Sequence, residues 1–251
     1  MSSQPSSVIV APAARFGGEL IPPGDKSISH RLALLGAIAS GETVIRGYLR
    51  CEDCLNTVGA IAALGARVHF DAADVLHIHG TGGRFLAPAG PMDLGNSGTG
   101  IRLLAGLLAG RPIEATLTGD ESLRSRPMRR VAEPLQRMGA AIELSGEKGT
   151  APIRVRGGAL RAISYDLPVA SAQVKSAILW AALFAEGETR VREGVPTRDH
   201  TERLFQACGA DMKTEGDMVV LRGEGPDGPK WKGAEWQVPG DFSSCLLYTS
   251  D

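Results

Sequence analysis

Three short stretches of the sequence gather hydrogen-bond donors, and each is followed by an apolar run. They are GDKSISHR from Gly24, GNSGTGIR from Gly95 and ASAQVKS from Ala170. A helix that begins in such a stretch presents unpaired backbone N–H groups and the positive end of its dipole. Phosphate and carboxylate groups bind well at such ends. Together the three stretches predict a site for a small, polyanionic ligand.

The same residue types have a plainer role as helix caps. Ser and Asn cap helices without any ligand, so capping explains one stretch alone equally well. A basic side chain accompanies each stretch, namely Lys26 and Arg31, Arg102, and Lys175. This recurrence favours a shared anion site, and we expect the three helix starts to converge on one face.

Two arginine-rich stretches follow the same logic. They are SLRSRPMRR from Ser122 and PTRDHTER from Pro196. Arg126 and Arg198 fall at predicted strand-to-helix turns, where a forked guanidinium binds phosphate or carboxylate through two hydrogen bonds. Charge runs more often lie on a solvated face, and we expect this of Arg129, Arg130 and Arg203.

Other chemistries find less support. GNSGTG has neither the P-loop nor the GxGxxG spacing. No His, Cys, Asp or Glu set has metal-ligand spacing, and we place His77 and His79 on the surface of a β hairpin. Cys51 and Cys54 have CxxC spacing without a second pair or a nearby histidine. A zinc or redox role is therefore the less favoured alternative to ordinary helix-start residues, and we predict neither metal nor cofactor.

The bulk composition is that of a globular protein without a dominant charge. Hydrophobic residues make up 43% and charged residues 22% of 251 residues, and the net charge is −1. Such a balance does not favour nucleic acid or an anionic membrane as a partner. No apolar stretch approaches the roughly 18 residues of a membrane span, and the N-terminus has no basic export signal. We therefore predict a cytoplasmic protein with reduced cysteines.

An internal repeat organises the chain. A Gly-Ala pair follows a helix-like segment three times, at Gly65, Gly139 and Gly209, which lie 74 and 70 residues apart. Each pair is followed by a strand-like run, a polar turn, a second β-rich run and a closing glycine. Even spacing of this kind indicates a repeated supersecondary unit, which we interpret as β-α-β-α-β-β.

The middle helix of each unit is apolar on all sides, which is typical of a buried helix. We predict these helices at residues 27–39, 98–109 and 172–185. The predicted fold is an α/β domain with pseudo-threefold symmetry, with buried central helices and with sheets and amphipathic helices outside. A doubly wound parallel sheet is the competing architecture, but it does not explain the repeated closing hairpin.

Five of these segments also carry a family resemblance. PGDKSISHR, LGNSGTGIRLL, SLRSRPMRRV, ASAQVKSAIL and TRDHTE resemble, in the same order, the signature segments of the 5-enolpyruvylshikimate-3-phosphate synthases. The match runs from about Ile21 to Ser244, and the SLxxRPM and ASAQVKS forms are most similar to the bacterial class II branch.

The resemblance implies an activity and an architecture. The family transfers the enolpyruvyl group of phosphoenolpyruvate to the 5-hydroxyl of shikimate 3-phosphate, in the shikimate pathway of aromatic amino-acid biosynthesis. Its members are monomers of two domains, each an inside-out α/β barrel of three β-α-β-α-β-β units. On this basis residues 21–239 form the first domain, and 1–20 and 240–251 are crossover segments of a second domain. Since the family's acid/base residues lie in that second domain, we expect this chain to be truncated and poorly active alone.

The motifs also carry site assignments. The residues implied for shikimate 3-phosphate are Lys26, Ser27, Arg31, Ser171, Gln173 and Arg198. Those implied for phosphoenolpyruvate are Lys26, Asn96, Gly98, Thr99, Arg126 and Gln173. Lys26 contacts both substrates and is the one catalytic residue implied here. Gly98 leaves room for glyphosate, a competitor at the phosphoenolpyruvate site, so the resemblance also implies sensitivity to it.

Two alternative functions stay open. UDP-N-acetylglucosamine enolpyruvyl transferase shares the fold but would show Lys-Asn in place of Lys26-Ser27. A non-catalytic anion-binding fragment is the other alternative. Finally, PGDFSS at residues 239–244 repeats the opening PGDKSIS, which implies a hinge where the chain crosses between domains.

Overall fold

The computed structural model describes residue 19 and residues 21–241. The helices are α1 (Lys26–Ile38), α2 (Glu52–Ala63), α3 (Gly98–Ala109), α4 (Glu121–Ser125), α5 (Arg129–Met138), α6 (Ala172–Ala182) and α7 (His200–Ala207). The strands are β1 (Ser40–Arg46), β2 (Arg67–Phe70), β3 (Leu76–Thr81), β4 (Met92–Asp93), β5 (Glu114–Thr118), β6 (Ala141–Gly146), β7 (Thr150–Arg156), β8 (Leu160–Arg161), β9 (Ser164–Asp166), β10 (Ala185–Glu186), β11 (Glu188–Arg192), β12 (Met212–Glu215), β13 (Met218–Arg222) and β14 (Glu235–Gln237). Within these residues, none of the helices combines the length and apolarity that crossing a bilayer requires.

Three four-stranded sheets share one plan, which confirms the threefold repeat. Their strand orders are β14-β1-β3-β2, β4-β5-β7-β6 and β9-β11-β13-β12. In each sheet the first pair is parallel and the other two pairs are antiparallel. The opening strand of the first sheet is β14, which comes from the far end of the described chain. The first repeat is therefore completed only when the chain returns to its start.

Two Pro-Gly-Asp segments join this return to the beginning of α1. The backbone N–H of Asp25 donates to the carbonyl of Pro239 at 2.8 Å, and that of Asp241 donates to the carbonyl of Pro23 at 2.7 Å. The repeated motif thus forms a short antiparallel contact with itself. The remaining residues of the second copy, 242–244, lie outside the described part, so the hinge stays a prediction.

Helices α1, α3 and α6 lie at the centre, as their apolar sequences predict. Helices α3 and α6 pack so closely that a Cβ at Gly106 would lie 2.2 Å from the carbonyl oxygen of Ala177. Only glycine permits this approach. Helix α6 ends three residues before the predicted boundary, because residues 185–186 pair with β8 instead.

The Gly-Ala pairs mark helix ends, which explains their regular recurrence. Gly65, Gly139 and Gly209 follow α2, α5 and α7 with φ values of 101°, 115° and 83°. This left-handed conformation is open to glycine without steric penalty, and it turns the chain from an outer helix into the next hairpin.

Candidate functional site

The first turns of α1, α3 and α6 meet at one end of the central helices, and each begins with a capping side chain. Asp25, Ser97 and Ser171 accept hydrogen bonds from backbone N–H groups three residues ahead, at 2.7, 3.0 and 3.4 Å. The capping interpretation is therefore correct for these three side chains. Polar residues that follow these caps, together with Ser171 itself, line a cleft.

This cleft, of about 510 Å³, lies over the starts of α1 and α6 and beside the loop before α7. The side chains that line it include Ser27, Arg31, Thr99, Ser171, Gln173 and Arg198. The predicted convergence of the helix starts is thus confirmed. Thr197 and His200 also line it. The sequence analysis gave them no role, although both lie in the PTRDHTER stretch that pointed to Arg198.

Gln173 ties the start of α6 to the start of α3. Its side-chain Nε2 donates to the hydroxyl of Thr99 at 2.9 Å, and its Oε1 accepts from Arg102 Nη1 at 2.6 Å. The amide is therefore oriented by both neighbours, and it sits between the two groups of residues that the motifs assign to different ligands.

Asn96, Gly98 and Arg126 lie together around the start of α3. The guanidinium of Arg126 donates to the side-chain oxygen of Asn96. A Cβ at Gly98 would lie 2.6 Å from Nη1 of Arg126 and 3.0 Å from Nη1 of Arg102. The absence of a side chain at position 98 therefore lets two guanidinium groups approach one helix start.

The sequence analysis placed Arg102 in one of the donor-rich stretches but assigned no ligand to it. The structure makes this residue a functional candidate. Its side chain is buried and donates to the carbonyl of Gly98 at 2.9 Å. Its Nε has no hydrogen-bond partner among the described residues. Burial, together with the nearby cations of Arg130 and Arg126, lowers the pKa of Arg102 to about 10. An anion at this point would accept a hydrogen bond from the unpaired Nε and would offset the repulsion between the three arginine cations.

Arg31 has a partly structural role. It is buried, and its guanidinium donates to Thr201 Oγ1 and Ser176 Oγ at 2.7 Å each and to the Ser27 carbonyl at 2.9 Å. Burial lowers the pKa of Arg31 to about 10. These bonds join α1 to α6 and α7 beneath the cleft, so Arg31 both lines the cleft and holds its walls together.

The expectation that Lys175 faces the anion site is wrong. Its Nζ lies 2.6 Å from Glu193 and 2.5 Å from Glu202, and the side chain is 1% exposed. The hydroxyl of Thr197 donates to Glu193 at 2.5 Å. Burial raises the pKa of Glu202. Lys175 points inward because its one charge meets two buried carboxylates there, and this cluster anchors the loop that carries Arg198.

Lys26 lies at the first position of α1 and is half-exposed. Its ammonium is 3.3 Å from Asp53 at the start of α2. Behind it, His30 is fully buried, with Nδ1 2.8 Å from Thr57 Oγ1 and Nε2 3.4 Å from Ser97 Oγ. Burial lowers the pKa of His30 to about 3, so this ring stays neutral and connects α1 to α2 and α3.

The residues expected on solvated faces are there. Arg129, Arg130 and Arg203 are exposed, and Arg203 pairs with Asp199 at 2.8 Å on the surface of α7. His77 and His79 lie on β3 and both contact Glu42, at 3.1 and 3.4 Å.

Known proteins resemble the chain in sequence. The 3-phosphoshikimate 1-carboxyvinyltransferase of Methylococcus capsulatus is 49% identical over 239 residues, which cover 94% of this chain and 54% of that protein. The enzyme of the same name from Alkalilimnicola ehrlichii is 51% identical over 241 residues, covering 95% and 53%. The chain therefore spans about half the length of the curated relatives it matches.

Solved structures and a family model agree with these relatives. A structure of the EPSP synthase from Acinetobacter baumannii superposes with a TM-score of 0.84 at 50% identity, over 89% of this chain and 50% of that one. The model of the EPSP synthase family (3-phosphoshikimate 1-carboxyvinyltransferase) matches residues 10–250. A fold of three equivalent α/β repeats, a cationic cleft at its helix starts and these matches lead to one conclusion: the chain belongs to the EPSP synthase family.

Proposed function

We propose that this chain supplies the shikimate 3-phosphate half of an enzyme that transfers the enolpyruvyl group of phosphoenolpyruvate to the 5-hydroxyl of that substrate. The observation that carries the proposal is the cleft in which Ser27, Arg31, Ser171, Gln173 and Arg198 come together. Residues 21–239 act as one of two domains, because the relatives are about twice as long. The complete protein works as a cytoplasmic monomer without nucleic acid.

Shikimate 3-phosphate occupies the cleft over α1 and α6. Arg198 binds its phosphate, and the hydroxyls of Ser27 and Ser171 and the helix ends contribute further donors. Arg31 adds positive charge from beneath, and Gln173 orients the ring substituents. These groups favour a ligand with a dianionic phosphate over a neutral sugar-like molecule of the same size.

Phosphoenolpyruvate binds next to it, at the start of α3. Asn96, Gly98 and Thr99 form its loop, and Arg126 holds its phosphate. Gln173 contacts both ligands because it already bridges the two helix starts. Lys26 contacts both as well. The absence of a side chain at Gly98 also lets glyphosate bind, so a full-length protein with this loop is sensitive to that inhibitor.

The reaction is an addition followed by an elimination. The methylene carbon of phosphoenolpyruvate takes up a proton while the 5-hydroxyl oxygen bonds to the neighbouring carbon and loses its own proton. The tetrahedral intermediate then loses phosphate and a methyl proton, which restores the double bond. This chain's residues hold the two anions together against their repulsion and orient the hydroxyl, which are large contributions to rate.

Calorimetric titration of the chain with shikimate 3-phosphate tests the proposal. We expect Arg198→Gln to weaken binding roughly tenfold to a hundredfold, because it removes charge-assisted hydrogen bonds to the phosphate. Arg203→Gln is the matched control, since that arginine is exposed and pairs with Asp199 on α7. Equal binding of shikimate without its phosphate would contradict the assignment.

Phosphate release by the chain in the presence of both substrates separates binding from catalysis. Binding without turnover supports a half-site that needs the rest of the protein. Turnover at the rate of a full-length relative would show that the 251 residues are catalytically complete.

A further inference from the structure

Two cysteines occupy the first turn of α2, next to Lys26. Cys51 is the residue that precedes the helix and is half-buried, and Cys54 lies three positions on and is fully buried. The proposed function uses neither of them. Their CxxC spacing therefore calls for a physical explanation of its own.

The local geometry allows a bond between the two sulfurs. Helical rise and rotation place the Cα atoms of residues three apart at a distance of about 5 Å. Disulfides join Cα atoms that are roughly 4.4 to 6.8 Å apart. The two thiols also lie close enough to shift each other's pKa. Closing the bond thus needs no refolding of the turn.

The two thiols differ in reactivity. Interaction with the neighbouring Cys54 thiol lowers the pKa of Cys51 to about 6, and the ammonium of Lys26 makes a smaller contribution to that shift. The same interaction, together with burial, raises the pKa of Cys54 far above its usual range. Cys51 is thus the more acidic and more exposed thiol and the attacking group, while the buried Cys54 is suited to resolve a mixed disulfide.

Contacts with α1 connect this pair to the anion site. Asp53, between the two cysteines, pairs with the ammonium of Lys26 at 3.3 Å. The thiol of Cys54 donates to the carbonyl of Lys26 at 3.7 Å. A disulfide has no S–H group, so oxidation removes this bond from the first turn of α1.

We propose that Cys51 and Cys54 form a reversible thiol–disulfide couple that reacts with small-molecule disulfides and that, when oxidised, weakens anion binding at the start of α1. The effect of oxidation on anion binding rests on the proposed function. Affinity falls because the turn that presents Lys26 and Ser27 is less well fixed before the ligand arrives.

The reaction is a thiol–disulfide exchange in which the small-molecule disulfide is the oxidant, and it needs no metal. The thiolate of Cys51 attacks one sulfur of a disulfide such as oxidised glutathione, a mixed disulfide forms, and one thiolate leaves. Cys54 then loses its proton to solvent and attacks the Cys51 sulfur, and the second thiolate leaves. Two protein thiols are oxidised, and one small disulfide is reduced to two thiols.

Peptide mapping by mass spectrometry after treatment with oxidised glutathione tests the couple. We expect the tryptic peptide 51–67 to lose the mass of two hydrogen atoms. Cys54→Ser should stop at a glutathione adduct on Cys51, and Cys51→Ser should react at least about tenfold more slowly. Cys208 is an internal control, because burial raises its pKa to about 11. Modification of Cys208 as fast as Cys51, or no bridged peptide, would overturn the proposal.

Calorimetric titration with shikimate 3-phosphate then compares the reduced and oxidised chain. We expect affinity to fall about threefold on oxidation, the loss of roughly one weak hydrogen bond. Cys51→Ser, treated identically, should bind equally in both conditions. A disulfide that leaves affinity unchanged sinks the coupling to α1. A reduced chain that does not bind the ligand contradicts the proposed function instead. The mass spectrometry of the peptide then still tests whether Cys51 and Cys54 form a disulfide.

Discussion

Helices α3 and α6 begin at equivalent points of two repeats, and each carries a buried cation in its second turn. Lys175 of α6 lies between Glu193 and Glu202. Arg102 of α3 lies beside two further cations, Arg126 and Arg130. One cation is therefore neutralised within the fold, whereas the other is left with like charges around it.

This difference separates a structural charge from a binding charge. Burying a charge is costly unless a partner or a ligand compensates it. Lys175 has its compensation in the folded chain, so its loss should harm stability first. Among the described residues Arg102 has no carboxylate partner, so its loss should harm anion binding and spare the fold. The charges around a basic residue, more than its type or its position in a motif, indicate which role it has.

Substitution of Lys175 should have the largest effect. We expect Lys175→Met to lower the free energy of unfolding by about 3–5 kcal/mol, because two buried carboxylates lose their partner. Urea denaturation followed by circular dichroism measures this. The triple variant with Glu193→Gln and Glu202→Gln should recover part of the loss, since the unpaired charges are then gone. An unchanged urea midpoint for Lys175→Met would remove the structural half of the comparison.

Substitution of Arg102 should affect ligand binding more than stability. We expect Arg102→Gln to weaken binding of phosphate-bearing ligands roughly tenfold to a hundredfold, the equivalent of about 1.5–3 kcal/mol for hydrogen bonds to a charged group. Stability should stay equal or rise, because a buried, unpaired charge is removed. Arg130→Gln is the control, since that arginine is exposed. A variant that unfolds more easily and binds normally would show that Arg102 has a structural role, like Lys175.

A third buried polar group, His30 at the start of α1, sharpens the comparison because it stays neutral. Its folded-state pKa of about 3 lies below the value of 6.5 expected when unfolded. The unfolded chain alone takes up a proton as the pH falls below that value, so the native state loses stability there. The loss should reach about 2 kcal/mol near pH 5 relative to neutral pH. His30→Asn should lose that much less over the same range, whereas His79→Asn, on the surface, should behave as wild type.

The smallest effect is expected at Gly98. Alanine there should favour the helix by about 0.5–1 kcal/mol but push the guanidinium groups of Arg126 and Arg102 aside. We expect anion affinity to fall severalfold while thermal stability rises slightly. Gly59→Ala, in α2 with open space around the position, should raise stability without the loss of affinity. Equal affinities of the two variants would show that Gly98 is not needed for the approach of the arginines.

Local sequence patterns were reliable where the physical cause is local. The three helix starts and the glycine that ends each outer helix depend on a few neighbouring residues, and all were predicted. The end of α6 was not, because residues 185–186 are drawn into a strand by β8, which lies over twenty positions away. The inward orientation of Lys175 escaped for the same reason, since both of its carboxylate partners are distant in sequence.

The sequence by itself determined the repeat, the burial of the central helices and the donor-rich motifs, because periodicity, hydrophobicity and capping act over one or two helical turns. Only the tertiary structure decided which of those donors meet. It brought β14 back to complete the first sheet, set Gln173 between Thr99 and Arg102, and turned Lys175 away from the cleft. These outcomes depend on contacts between segments far apart in the chain, where packing and charge compensation select one arrangement.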